Sequence, residues 1–176
     1  MHRQKVKRLM ALSLFAICIT LILLPSGCCN SAPDLPTAPK VGSLAPDFEV
    51  TTIDDATVTL QGLKGKPILL LFFGTTCPAC NANMPHVQAA FEERGEEVHF
   101  LAIETGSSSE AVQQYVENNG LGFTVALGRG NKAPNDYNIA FIPTTFFIDS
   151  RGVIQGKQVG AYASDEALLA AMEDLH

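Results

Sequence analysis

At 176 residues, with 47% hydrophobic side chains, the chain has the length and apolar content for one packed domain plus appendages. Its formal net charge is −6, and four of its 12 basic residues fall in the first eight positions, where there is no acid. The remainder therefore carries a net charge of about −10, which argues against nucleic acid as a partner, because phosphate binding needs basic patches.

The basic head "MHRQKVKR" is followed by an apolar run from Leu9 to Leu24 and then by "PSGCCNSAP". That succession reads as an export signal. The run is shorter than the roughly 20 residues that span a bilayer comfortably, so cleavage is expected, with an uncleaved anchor as the alternative. Ser26, Gly27 and Cys28 resemble a bacterial lipoprotein site, which implies cleavage before Cys28 and lipid on that residue. Pro25 departs from the pattern, since the aliphatic Leu24 stands one place too early. Residues 1–27 are thus read as signal or anchor, 28–40 as a flexible tether and 41–176 as the domain.

Within the domain, "DFEVTTIDDATVTLQGL" (47–63) alternates like a small hairpin around Asp54 and Asp55. "KPILLLFF" (66–73) is the apolar run expected of a parallel strand buried on both faces, and "VHFLAI" (98–103) reads the same way. Between them, residues 78–95 have helical spacing. Ala79, Ala82, Val87, Ala90 and Phe91 are expected on the buried side, Gly95 marks the stop, and Pro85 is expected to kink or split the helix. The three elements make a right-handed βαβ unit.

A second helix is expected over 107–120, with Ser107 and Glu110 at capping-box spacing and Gly120 at its end. "FTVAL" (123–127) gives a short strand and "NKAPNDYNI" (131–139) a helical turn or two. "TTFFID" and "VIQGKQVG", separated by "SRG", form a hairpin, and residues 164–175 close the chain as a helix capped by Ser164. The order ββ–βαβα–(β)–ββα is that of an α/β domain, a mixed sheet with helices on both faces.

"FFGTTCPAC" (72–80) sets Cys77 and Cys80 three positions apart at the end of the first buried strand. A static disulfide gains most by closing a long loop, and this pair closes a very short one. Zinc normally needs a second pair of ligands, but the domain has no further Cys, and His86, His99 and His176 show no paired spacing, so no metal is expected. His86 reads as a surface helix residue, His99 as a strand residue. The spacing suits a disulfide that opens and closes without rearranging the backbone. Strand ends that lead into helices are where sites form in open α/β sheets, and the amides of a helix N-terminus stabilise an anion there. Cys77 is therefore expected to attack and Cys80, one turn inside, to resolve the mixed disulfide. Pro78 suits the first helical turn, where its missing N–H costs nothing.

"FFGTTCPAC", the later "IPTTFFID" and the opening "VGSLAPDFEV…LKGKPILLLFF" together resemble the TlpA/ResA-like branch of the thioredoxin superfamily, over residues 41–175. The resemblance implies a thioredoxin-like fold whose central mixed sheet is flanked by helices, with an N-terminal β-hairpin extension. It implies a cis Pro143 lying against the redox pair, and substrate contacts at Thr76, Pro78, Ala79, Ile142 and Thr144. The sequence also departs from the family. Thr76 stands where a Trp is common, Leu71 where thioredoxins carry a buried acid, Asn83 where ResA-like proteins often have Glu, and Ser107 where they have an acid in a loop. Glu104 is the nearby candidate for proton handling, with an exposed strand-end carboxylate as the plainer reading.

The function these features imply is an exported, membrane-tethered thiol–disulfide oxidoreductase that reduces protein disulfides, for instance cysteines of apocytochrome c. No cofactor is expected beyond the Cys77–Cys80 disulfide. Its expected partners are protein dithiols or disulfides, a membrane thiol-electron donor and the membrane itself through an N-terminal lipid or anchor; a monomer is expected. Three alternatives stay open: a disulfide oxidant, a thiol peroxidase and a copper chaperone. Against the peroxidase, Gly74 stands where a peroxidatic Cys needs a Thr three residues before it. Thiolates do select Cu(I), though related copper chaperones have wider Cys spacing and an added His.

Overall fold

The computed structural model describes residues 35–175; the leader and Cys28 lie outside them. The elements run β1 (Glu49–Thr52), β2 (Thr57–Thr59), α1 (Leu60–Leu63), β3 (Ile68–Phe73), α2 (Pro78–Arg94), β4 (His99–Glu104) and α3 (Ser109–Asn119). β5 (Thr124–Leu127), α4 (Ala133–Asp136), β6 (Thr144–Ile148), β7 (Ile154–Val159) and α5 (Asp165–Ala171) complete the fold. The seven strands form one sheet in the order β2-β1-β5-β4-β3-β6-β7. β3 pairs in parallel with β4 and antiparallel with β6, so the expected mixed sheet is present. No helix among the described residues is long and apolar enough to cross a membrane.

All six residues of β3 are buried because the sheet is covered on both faces. Leu69, Leu71 and Phe73 pack with Met84, Val87 and Ala90 of α2, Val112 of α3 and Leu168 of α5. Ile68, Leu70 and Phe72 face the other way, into Phe48, Leu60, Ala133, Tyr137 and Phe146. The buried Tyr137 keeps its phenol satisfied by donating to the Pro46 carbonyl at 2.8 Å. In the β6–β7 turn, the Asp149 carboxylate collects the amides of Arg151 and Val153, the Gln155 side chain and the Arg151 guanidinium.

Several local expectations need correction. Pro36 and Ala38 hydrogen-bond with Leu44, so residues assigned to the tether belong to the folded unit. Pro85 does not split α2, which runs through it as one 17-residue helix. Ala79 and Ala82 are exposed; Cys80, Asn83 and Met84 take the buried side instead. The cap of α3 is Ser108, whose hydroxyl accepts the Ala111 N–H, and Ser107 is engaged elsewhere. The end of α3 is as expected: Gly120 is left-handed at φ 58° and its N–H returns to the Glu117 carbonyl. α5 starts at the Ser164 cap but stops at Ala171, after which three-residue turns carry Met172 and Leu175 into the core. The hairpin around Asp54 and Asp55 forms, with Asp55 itself left-handed at φ 62°.

Candidate functional site

β3 ends at Phe73, and the chain turns through Gly74 and Thr75 into α2, the Cys77 N–H closing the turn on the Gly74 carbonyl at 3.2 Å. Cys77 is the N-cap of α2, in extended backbone geometry, and Pro78 follows at the first helical position. The cap acceptor is the thiol itself: the Cys80 N–H donates to Cys77 Sγ at 3.3 Å. A sulfur thus takes the place usually held by a Ser or Asp oxygen, and carries the amide that would stabilise it as an anion.

The two thiols differ in environment. Cys77 is half-buried and Cys80 is fully enclosed. Burial, helped by the neighbouring Cys77 side chain, pushes the Cys80 thiol up to about 12. Cys80 is therefore held as a thiol at neutral pH.

Pro143 and its neighbours come to the same place. The Ile142–Pro143 bond is cis. The Cys77 thiol points at the Ile142 carbonyl, 3.7 Å away. A methyl group on Gly74 would meet Ile142 Cδ1 at 2.9 Å, with Cys77 Cβ and Glu104 Oε1 each at 3.9 Å, so this glycine marks the point where the three residues converge. Thr76, Pro78 and Ala79 are exposed beside the pair. Thr144 is buried, and its hydroxyl donates to the Phe141 carbonyl at 2.7 Å, so it shapes the Pro143 loop from inside.

Glu104 is not an exposed strand-end carboxylate. It is 2% exposed at the end of β4. Its Oε2 accepts the N–H groups of Gly106 at 2.8 Å and Ser107 at 2.7 Å, while Oε1 accepts the Ser107 hydroxyl at 2.8 Å and the Thr75 N–H at 3.4 Å. Thr75 and Ser107 also share a hydrogen bond at 2.7 Å. One carboxylate thus ties the turn into Cys77 to the loop before α3. Leu71, by contrast, is an ordinary core residue of β3.

Three residues that the sequence reading left without a role also stand here. Asn83, one turn beyond Cys80, accepts the Tyr162 N–H at 2.8 Å, while its own Nδ2 is buried without a partner. Tyr115 of α3 donates its phenol to Asn81 Oδ1 at 2.9 Å, and burial, with Cys80 and Cys77 adding, pushes that phenol up to about 12. Phe141 stands 72% exposed at the mouth of the site. An aromatic outside any strand pattern, in "NIAFIP", was the available signal for it. His86 is half-buried and paired with Asp165 at 2.5 Å, and His99 opens β4. Among the described residues, no three His, Cys, Asp or Glu side chains cluster as a metal site.

Comparison with known proteins agrees with this geometry. The AhpC/TSA family profile matches residues 41–157. The chain is 31% identical over 128 residues to the thiol-disulfide oxidoreductase ResA of Bacillus thuringiensis, covering 72% of this chain and 74% of that one. It is 32% identical over 131 residues to ResA of Geobacillus kaustophilus, covering 74% and 75%. Among solved structures, a secreted Mycobacterium tuberculosis disulfide oxidoreductase homologous to Escherichia coli DsbE superposes with a TM-score of 0.67 at 27% identity, covering 73% of this chain and 96% of that one. The strand–turn–helix that presents Cys77 and Cys80 is thus part of a thioredoxin-like fold, and the chain belongs to the AhpC/TSA family, as a thiol–disulfide oxidoreductase of the ResA type.

Proposed function

We propose that this oxidoreductase works outside the cytoplasm, tethered to a membrane, and reduces protein disulfides through Cys77 and Cys80. The observation that carries the reading is the asymmetry of the pair: a half-buried thiol capping a helix and an enclosed thiol held protonated one turn inside. The Cys77 sulfur attacks one sulfur of the substrate disulfide; the other leaves as a thiolate and takes up a proton. Cys80 then gives up its proton and attacks the Cys77 sulfur, which forms the Cys77–Cys80 disulfide and releases the second substrate thiol. Two electrons pass from the dithiol to the substrate, and no cofactor beyond the pair takes part.

In this reading the Ile142 backbone beside Pro143 receives the substrate chain, Thr76, Pro78 and Ala79 form the adjoining surface, and Thr144 holds the loop in shape. Glu104 handles the proton that Cys80 must lose. A membrane thiol-electron donor would return the oxidised pair to the dithiol, lipid on Cys28 or an uncleaved leader would hold the monomer at the membrane, and apocytochrome c cysteines are the substrates that the family suggests.

The test is the reduction potential of the full-length protein measured against glutathione, together with its rate of insulin reduction. A reductant should lie nearer the about −270 mV of thioredoxin than the about −120 mV of a strong oxidant. A value at the oxidising end would make the protein a disulfide donor instead. Recovering a soluble mature form that begins after Cys29 would rule out lipidation.

A further inference from the structure

Val41, Phe141 and Val159 are the large apolar side chains that stand exposed among the described residues, and Phe141 is the most exposed of them at 72%. Its place is specific. It immediately precedes Ile142, whose carbonyl lies 3.7 Å from Cys77 Sγ. Its backbone is fixed, because its carbonyl accepts the Thr144 hydroxyl at 2.7 Å. Val159 borders the same loop: it pairs with Thr144 in the sheet, and the next residue, Gly160, donates its N–H to the Pro143 carbonyl at 2.8 Å.

The surroundings share one property. The segments 76–82, 138–143 and 159–163, which meet around the Cys pair, contain no charged residue, and the Glu104 carboxylate that converges with them at Gly74 is buried. The Ile142 N–H, beside the Cys77 sulfur, donates to no backbone carbonyl among the described residues. A polypeptide that brings a sulfur to Cys77 and pairs with the Ile142 backbone comes within reach of Phe141, the residue before it.

We propose that Phe141 sets substrate selectivity by receiving an apolar side chain that lies within two residues of the cysteine reacting with Cys77. The proposal rests on the reading that the protein reduces polypeptide disulfides. An aliphatic or aromatic residue at that point leaves water by covering the Phe141 ring. An acidic residue there would lose hydration against the ring and find no cation in these segments to pair with. The preferred substrate is therefore an extended segment with an apolar residue flanking its cysteine.

The experiment uses the full-length protein with its pair reduced, and three disulfides. Two are peptides with one internal disulfide, identical except for Leu or Asp beside the cysteines. The third is hydroxyethyl disulfide, which has no side chains. The second-order rate constant should favour the Leu peptide by about tenfold, the scale of one apolar group in a specificity pocket. Phe141→Ala should bring the ratio of the two peptides close to one, and Phe141→Leu should keep most of it. A parent protein that reduces hydroxyethyl disulfide yet treats both peptides alike, or a Phe141→Ala variant with the parental ratio, would overturn the role of Phe141. A parent that reacts with none of the three would overturn the reductase reading and this proposal with it.

Discussion

The Cys80 amide donates to the Cys77 sulfur at 3.3 Å, so the backbone of the residue proposed to resolve already supports the sulfur proposed to attack. Side-chain replacement at position 80 leaves that amide in place. Cys80→Ser should therefore still attack a substrate disulfide but fail to release it, accumulating a mixed disulfide visible by non-reducing electrophoresis and mass spectrometry. Cys77→Ser should accumulate none. Trapping by Cys77→Ser would reverse the two roles.

The same enclosure predicts how stability depends on pH. Folding raises the Cys80 thiol from an ordinary 9.0 to about 12, so the fold favours the protonated form. Its contribution to stability is complete below pH 9 and is lost as pH rises from there toward 12. The disulfide form has no such thiol. Tyr115 and Tyr162 are also pushed up to about 12 by burial, which softens both forms at high pH, so the informative quantity is the difference between them. Denaturant midpoints of the reduced protein should fall faster than those of the oxidised protein above about pH 9. Parallel curves would count against a buried, protonated Cys80.

Glu104 gathers three backbone amides and a hydroxyl from two separate turns. Removing it leaves partly buried donors without their acceptor, at about 1–3 kcal/mol for each one that water cannot reach. Glu104→Ala should lower the unfolding midpoint markedly. Glu104→Gln, which keeps one acceptor oxygen, should lower it less. If the carboxylate also takes the Cys80 proton, the pH–rate profile of disulfide exchange should move in the Gln variant; an unmoved profile would leave Glu104 a purely architectural residue.

Gly74 allows the Ile142 side chain to lie against the turn, and a Cβ there would stand 2.9 Å from Ile142 Cδ1. The obstructing atom is the end of a flexible side chain, so Gly74→Ala should fold, with Ile142 displaced. The expected result is a near-parental melting temperature with a several-fold slower reduction of peptide disulfides. Loss of folding with no separate kinetic effect would show that Gly74 serves packing alone.

The central architecture was legible because β3 and β4 are continuous apolar runs and because turn residues punctuate the hairpins on either side. The orientation of α2 was not. Apolar and polar residues are spread almost evenly around it, so periodicity could not orient it, and the small apolar Ala79 and Ala82 are exposed while Asn83 is buried. The cap of α3 slipped by one place because "SSS" offers three equivalent hydroxyls, and what decides among them is that Ser107 is held by Glu104. Glu104 itself looked like a surface acid because its partners come from loops, and no local pattern announces that several backbone amides will converge on one side chain. The cysteine pair could be placed from sequence because its setting, the end of a buried strand and the start of a helix, is local. The aromatic in "NIAFIP" was a signal for Phe141, but its exposure could not be read from it, since exposure depends on what the rest of the fold leaves uncovered.

The sheet order has a consequence for how the protein comes into being. β3 lies between β4, its near neighbour in sequence, and β6, so that Ile68 pairs with Ile148. A chain that emerges N-terminus first displays "ILLLFF" long before the strand that closes its second edge exists. During that interval the segment combines high β-propensity, no charge and an open edge, the combination that invites pairing between chains. Assembly of the core must wait for contacts remote in sequence, which slows folding in proportion to the loops that have to close. Yield in a folding compartment will therefore depend on keeping neighbouring copies apart until residues 144–148 arrive.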